Sequence, residues 1–582
     1  LWQKKACQTF QEWICLNNFF NLKNFKSIQE KSKNLFFSKN EPWWLIGFSM
    51  LLASGIFIEP LLICTSLING KLSDMWLYWS ATIGSAFSIS FFAHLWKNVP
   101  INTENEFIFF RFSGIGAKFL HIFRSIYLGG FIIPFIIAFN ILAFSKITCL
   151  IFQIKISEAI VLISVLLIIL SLFNSFKNRI RIDFVLFIVF IVSFLIVFIT
   201  IFLNVDGLDN VAVLLKTKEQ LQILPSISST TINAFLIFIL VQWWSATILD
   251  YPDMNGQKLM ASKSIKDISK SVFFPSFLMI FFRILFFTLP FIAVYFDFTN
   301  GFTDGELAFT SLFINTLPKW MLIFVILLFF IPFLSIVQNT QNWGGSLLIE
   351  NFYKKYIDLK SANNFYIGIL AMIFIIVVSC AIALFSESLI EMSKLLFSMT
   401  AGVGPVFILR WYWWRINAWS QLSAMISGLI CPNIYDWLFS NNVFFNQFIK
   451  TVSYKYNIDY YPIKLVFLTI IVCAIWISVT FLTAQTDEKV LKTFVATIKP
   501  GGFWKKYENN GKIFCCLRIL GWLLQTIKGF LIYFVFWNFL IGEYFNFILL
   551  LLLVILLFSI SYHFINKANQ NYDSTINIKT NK

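Results

Sequence analysis

Apolar residues in this chain gather into long runs bounded by charged or turn-forming residues, and the runs set the elements to be expected. Fourteen helices are predicted, near 43–68, 75–96, 120–147, 157–175, 182–204, 231–250, 272–296, 319–353, 365–388, 393–411, 417–438, 462–484, 516–542 and 544–565. Most reach the ~20 apolar residues that a membrane-spanning helix needs. The longest polar stretches between them, 205–230, 439–461 and 485–515, have room only for short helices. The expectation is therefore an all-α polytopic membrane protein with one membrane domain.

Composition agrees with that reading. Of the 582 residues, 58% are hydrophobic, 19% aromatic and 13% charged, and the mean hydropathy is +0.77. Soluble chains carry about 25% charged residues, so soluble, disordered and disulfide-rich secreted classes are excluded. The net charge of +16 needs no nucleic acid to explain it. If the N-terminus is cytoplasmic, 33 of the 45 Lys and Arg residues fall in loops on that side. That bias is the expected sign of cytoplasmic loops. It points to an even number of spans, both termini cytoplasmic, and multi-pass placement in the cytoplasmic (inner) membrane.

Several classes of chemistry drop out on inspection. The nine cysteines form no C-x-x-C, so neither a zinc site nor a disulfide framework is indicated. No phosphate-binding G-x-x-x-x-G-K-[ST] loop occurs. The three histidines, His94, His121 and His563, are scattered without acidic partners, which disfavours a membrane enzyme. No cofactor is expected. Polar residues from Lys4 to Asn18 interrupt the first twenty residues, so no cleavable leader is expected there.

What remains are the places where spans are broken. In the first, Ala53-Ser54-Gly55-Ile56-Phe57-Ile58-Glu59-Pro60 sets a glycine, a carboxylate and a proline about halfway along. Backbone groups freed there find no water in lipid, and an acid at that depth costs several kcal/mol unless it meets a cavity or partner. In the sixth, Gln242-Trp243-Trp244-Ser245 precedes Asp250-Tyr251-Pro252-Asp253. Interruptions at corresponding positions of two five-helix halves point to a transporter with its site at the repeat interface. A simple proline kink, or a tilt carrying Glu59 to the interface, gives the same pattern.

The eighth span places Pro332, Ser335, Gln338, Asn339 and Asn342 on one face, where oxygens suit a hard cation or merely bind helices together. Small residues from Ser398 to Pro405 allow close packing in the tenth. The block Arg410-Trp411-Tyr412-Trp413-Trp414-Arg415 reads as an interfacial belt.

Several segments, in order, resemble one family. Pro42-Trp43-Trp44-Leu45-Ile46-Gly47-Phe48-Ser49-Met50, Arg111-Phe112-Ser113-Gly114 and Phe123-Arg124-Ser125-Ile126-Tyr127 are similar to stretches of the sodium/solute symporters, in a bacterial branch. So are Gln242-Trp243-Trp244, Gln257-Lys258-Leu259-Met260-Ala261, Asn342-Trp343-Gly344-Gly345 and Arg410 through Trp419. The resemblance runs from about residue 40 to 510. It implies a LeuT-type 5+5 inverted-repeat core plus about four extra C-terminal helices. The boundaries become a cytoplasmic segment 1–41, repeats 42–204 and 231–411 joined by an extracytoplasmic loop 205–230, and accessory helices with a cytoplasmic tail in 412–582. It further implies sodium-coupled uptake of a small polar solute by alternating access. The sodium ligands carried over are Leu52 and Gly55 in the first span and Pro332, Ser335 and Ile336 in the eighth.

Three departures stand out. Ile336 lacks the hydroxyl of the family, Glu59 sits one position later than its acid, and Ala246 to Asn255 replaces a glycine-rich stretch. Ser54, Glu59, Gln242, Trp243, Gln338 and Asn339 are the candidate solute contacts, with Trp243 as a stacking or gating surface. Proton-coupled or uncoupled carriage, and a sensor-like or transport-deficient protein keeping the fold, stay open as alternatives.

Overall fold

The computed structural model describes residues 41–580 apart from 70–71, 102, 173–175, 205–208, 218–221, 226–230, 246–253, 297–300, 303, 358–363 and 508–515. All but Glu41 of the segment expected over 1–41, and the residues Asp250 to Asp253, lie outside the described residues. All described elements are helical, and extended backbone pairs only in single bridges, Glu41 with Ser262 and Trp413 with Phe503. Among the described residues, eight helices are long and apolar enough to cross a membrane, or nine if one bent pair counts as a span.

The first expected span is two helices. α1 (Trp43–Leu52) begins after Pro42, and α2 (Glu59–Ile68) begins at Glu59-Pro60. Proline suits the first turn of a helix, where its missing N–H has no partner to lose, and the carboxylate of Glu59 complements the positive end of the helix dipole there. Between them Gly55 takes φ +74°, a left-handed conformation that costs other residues roughly 1–2 kcal/mol. Sequence thus ends one helix and starts the next within six residues.

α3 (Ala81–Phe91) is followed by the long α4 (Gly114–Phe152), which carries a π turn over Leu128–Ile132. α5 (Phe176–Asn204) begins ahead of the expected position near 182, so Arg179 lies in the helix rather than in a loop. Its Val185, Ile188, Val192, Leu195 and Ile199 are exposed, while Asp183, Phe190, Phe194, Val197 and Ile201 are buried. An apolar helix with one apolar face outward is what lipid contact requires.

The sixth expected span also breaks. α6 (Thr231–Leu240) gives way to a 3-10 turn at Gln242–Trp244, and α7 (Met254–Met260) resumes beyond the undescribed stretch. α8 (Ile265–Tyr295) contains Pro275 and Pro290 and lies so close to α1 that a Cβ on Gly47 would come 2.8 Å from Phe274. α9 (Gly305–Thr316) falls where only a loop was expected. α10 (Leu322–Ser346) continues through a π-helical stretch, Leu347–Tyr353. α11 (Leu389–Thr400) and α12 (Gly404–Tyr412) meet at a 40° bend. Short helices Asp209–Thr217, Val443–Tyr456 and Glu488–Ile498 occupy the polar stretches, as expected.

At the C-terminal end, α13 (Cys516–Leu540) packs between α3 and α14 (Tyr544–Thr580). Glycines set both approaches, since a Cβ on Gly529 would come 2.1 Å from Thr82 and one on Gly521 2.5 Å from Ile565. Motifs distant in sequence also converge. Glu104 pairs with Arg124 at 2.7 Å and accepts from the Trp343 indole at 3.0 Å, and Arg111 donates to the Arg410 carbonyl at 2.7 Å.

Candidate functional site

The break between α1 and α2 faces α10. The Phe57 ring meets Phe333 edge-on at 6.3 Å, and a Cβ on Gly55 would lie 3.8 Å from Ile336 Cδ1. Ser335 is fully buried in the same helix. Ending α1 at Leu52 leaves its carbonyl with no hydrogen bond among the described residues, while the Gly55 carbonyl accepts from Ile58 N at 3.0 Å. The implied cation ligands on α1 and α10 are therefore on facing elements. Ile336 puts a sec-butyl group into the seam where the resemblance implies a hydroxyl.

On the α1 side of the break lies a buried polar cluster that sequence reasoning missed. The Asp183 carboxylate, fully buried, is held by the Arg179 guanidinium one turn back on α5. It accepts from Ser49 Oγ of α1 at 2.5 Å and from Asn339 Nδ2 of α10 at 3.4 Å. Arg179 also donates to Gln338 Oε1. Lys258 of α7 donates to the Ser49 carbonyl at 3.1 Å. The cluster joins α1, α5, α7 and α10. Gln338 and Asn339, candidate solute contacts, are engaged here, and Asn339 Nδ2 also reaches the Ser335 carbonyl at 2.7 Å.

A cavity of about 570 Å³ opens at the same break, among α1, α2, α3, α8, α10 and α13. Ser54, Glu59 and Ile336 line it, together with Thr82, Arg283, Thr340 and Lys528. Glu59 Oε1 pairs with Arg283 Nη2 at 2.9 Å. Arg283 Nη1 lies 3.3 Å from the Tyr533 hydroxyl, itself 3.2 Å from Thr82 Oγ1. A larger hollow of about 720 Å³, lined by Glu391, Lys394, Asp436 and Lys464 among others, includes no residue of either break.

Gln242 and Trp243 are not among the residues lining the 570 Å³ cavity. Gln242 is fully buried, and among the described residues neither side-chain amide atom is hydrogen-bonded; the Trp243 ring packs 5.7 Å from Phe87 of α3. Their neighbours couple this second break to the α11–α12 bend. Trp244 Nε1 donates to the Ala401 carbonyl at 2.7 Å, and Thr400 Oγ1 to the Ser245 carbonyl at 3.0 Å. Beyond α2, Lys146 of α4 bridges Asp304 and Glu306, each at 2.6 Å. Burial pushes the Glu306 carboxyl above the usual carboxylate range, against the pull of Lys146.

Two comparisons bear on this arrangement. The family model described as the sodium:solute symporter family matches residues 63–428. A solved structure described as the substrate-bound outward-open state of a Na+-coupled sialic acid symporter shares the fold, with a TM-score of 0.56 at 18% identity. That alignment covers 80% of this chain and 95% of the other. No curated protein matches significantly. With broken helices, a mid-span cavity and a model match over more than half its length, the chain belongs to the sodium:solute symporter family and is a membrane transporter, not an enzyme.

Proposed function

We propose that the protein is a sodium-coupled symporter that takes up a small polar solute across the cytoplasmic membrane by alternating access. In this reading residues 42–204 and 231–411 form two inverted five-helix repeats, within about fourteen spans and with both termini cytoplasmic. The observation that carries it is the facing of the α1–α2 break and α10 beside the cavity, with the Leu52 carbonyl left unpaired and Ser335 buried opposite.

Sodium takes the carbonyls of Leu52, Gly55 and Pro332 and the Ser335 hydroxyl, with water in the place that Ile336 leaves without oxygen. Solute contacts Ser54 and Glu59, which line the cavity. Binding of the cation draws α1 and α10 together and favours one state of the α1–α2 and α6–α7 unit, and solute then permits that unit to move against its surroundings. Gln338 and Asn339 act through the Asp183 cluster, and Gln242 and Trp243 through the second break. The transmembrane potential adds about 2.3 kcal/mol per charge per 100 mV. Ile336 in the seam favours one second reading, a carrier of the same solute that runs without sodium.

Thermal stability of the detergent-purified protein in sodium, potassium and choline chloride at equal ionic strength tests the proposal. A ligand that binds only the folded state raises stability by RT ln(1+[L]/Kd). A sodium-specific rise in Tm that Ser335→Ala removes is expected. Equal Tm in all three salts overturns sodium coupling and leaves the second reading.

A further inference from the structure

The cavity's charge is unbalanced. It contains two cationic side chains, Arg283 of α8 and Lys528 of α13, and one carboxylate, Glu59. Glu59 gives one oxygen to Arg283, and its Oε2 has no hydrogen-bond partner among the described residues. Lys528 is 5% exposed and makes neither a hydrogen bond nor an ion pair among the described residues; its Nζ lies 5.3 Å from the Phe558 ring, and the charge it feels is that of Arg283, of like sign. Burying an unpaired ammonium is costly, and buried charges in proteins are paired or meet a ligand.

The position of Lys528 is built rather than incidental. α13 reaches the cavity wall only because Gly529 admits Thr82, where a Cβ would come within 2.1 Å. Tyr533, one turn further along α13, touches both Arg283 and Thr82. The helix that supplies Lys528 lies outside the residues matched by the family model, which end at 428.

Resting on the transport reading above, we propose that the solute carries a single negative charge, a carboxylate, bound between Lys528 and Arg283, so that α13 completes the solute site and sets its charge preference. Glu59 competes with the solute for Arg283 and orients the guanidinium. Ser54 and Thr340 are left to meet the uncharged part of the solute. A neutral or cationic solute leaves Lys528 unpaired and is selected against.

The test uses Tm in constant sodium with a set of probes: acetate, propionate, butyrate, lactate and pyruvate, each titrated against its uncharged amide. At least one carboxylate is expected to stabilise the wild-type protein saturably while its amide does not. Lys528→Met is expected to weaken that response at least tenfold and Lys528→Arg to keep it within about threefold. Glu59→Gln should strengthen it severalfold, since it frees Arg283; a merely structural role for Glu59 gives a loss instead. The sodium response of each variant reports that it is folded. Equal responses to acid and amide, no response to any of the five acids, or an unchanged response in Lys528→Met overturns the assignment while a sodium shift leaves the transport reading standing. Absence of a sodium shift in the wild-type protein counts against sodium coupling and leaves the sodium-independent carrier.

Discussion

Two acid–base clusters flank the same helix break, and they differ in how completely their carboxylates are satisfied. Asp183 is fully buried and holds Arg179, Ser49 and Asn339 on its two oxygens. Glu59 gives one oxygen to Arg283 and, among the described residues, the other makes no hydrogen bond; the Lys528 ammonium in the same cavity likewise has no hydrogen bond or ion pair there. A saturated buried cluster resists change, because removing one member strands the others. An unsaturated one beside a cavity has room for a ligand to complete it. The difference separates a fastening of α1 to α5, α7 and α10 from the cavity wall proposed above to receive solute.

The comparison is broken most forcefully at Asp183. Asp183→Asn leaves Arg179 buried without its counter-charge, a change that costs ~3–5 kcal/mol in comparable pairs, and a large fall in Tm is expected. Replacing both residues by Leu should recover most of the loss, since no stranded charge remains. Gly529→Ala forces a Cβ into Thr82 and should cost ~1–3 kcal/mol by overpacking. It should also blunt the carboxylate response while sparing the sodium response. Gly55→Ala places a side chain at φ +74° and should lower stability by ~1–2 kcal/mol, disturbing the sodium response first. Glu59→Gln should lower stability less than Asp183→Asn, because its side chain and that of Arg283 are 19% and 22% exposed where those of Asp183 and Arg179 are 0% and 5%. A Tm loss at Glu59 as large as that at Asp183 would erase the distinction between the two clusters.

Much of the frame was legible in sequence because it rests on local chemistry. Gly55 with Glu59-Pro60 can end and restart a helix within a few residues, and the three- and four-residue spacing from Pro332 to Asn342 fixes one face of α10. The Asp183 cluster was hidden for a physical reason. Arg179 lies among basic residues, Lys177 and Arg181, that read as a cytoplasmic loop, and only folding carries the helix back to Phe176 and turns the guanidinium inward. An Arg and an Asp four residues apart at the head of an apolar run were the available signal. Lys528 appeared as a basic residue within a span and nothing more. The role proposed for it depends on α13 meeting α3 and α8 across more than two hundred residues of chain, a contact that no local pattern encodes. Trp243 illustrates the reverse case, an aromatic beside a break whose ring packs against Phe87 instead of lining the cavity.

The central claim is that sodium binds between the α1–α2 break and Ser335. Saturable radiosodium binding to the purified protein, compared among wild type, Ser335→Ala and Ile336→Ser, tests it most directly. The account expects binding that Ser335→Ala abolishes and that Ile336→Ser tightens about tenfold, since the added hydroxyl supplies a direct ligand worth on the order of 1.4 kcal/mol. Sodium binding of equal strength in all three proteins would contradict it.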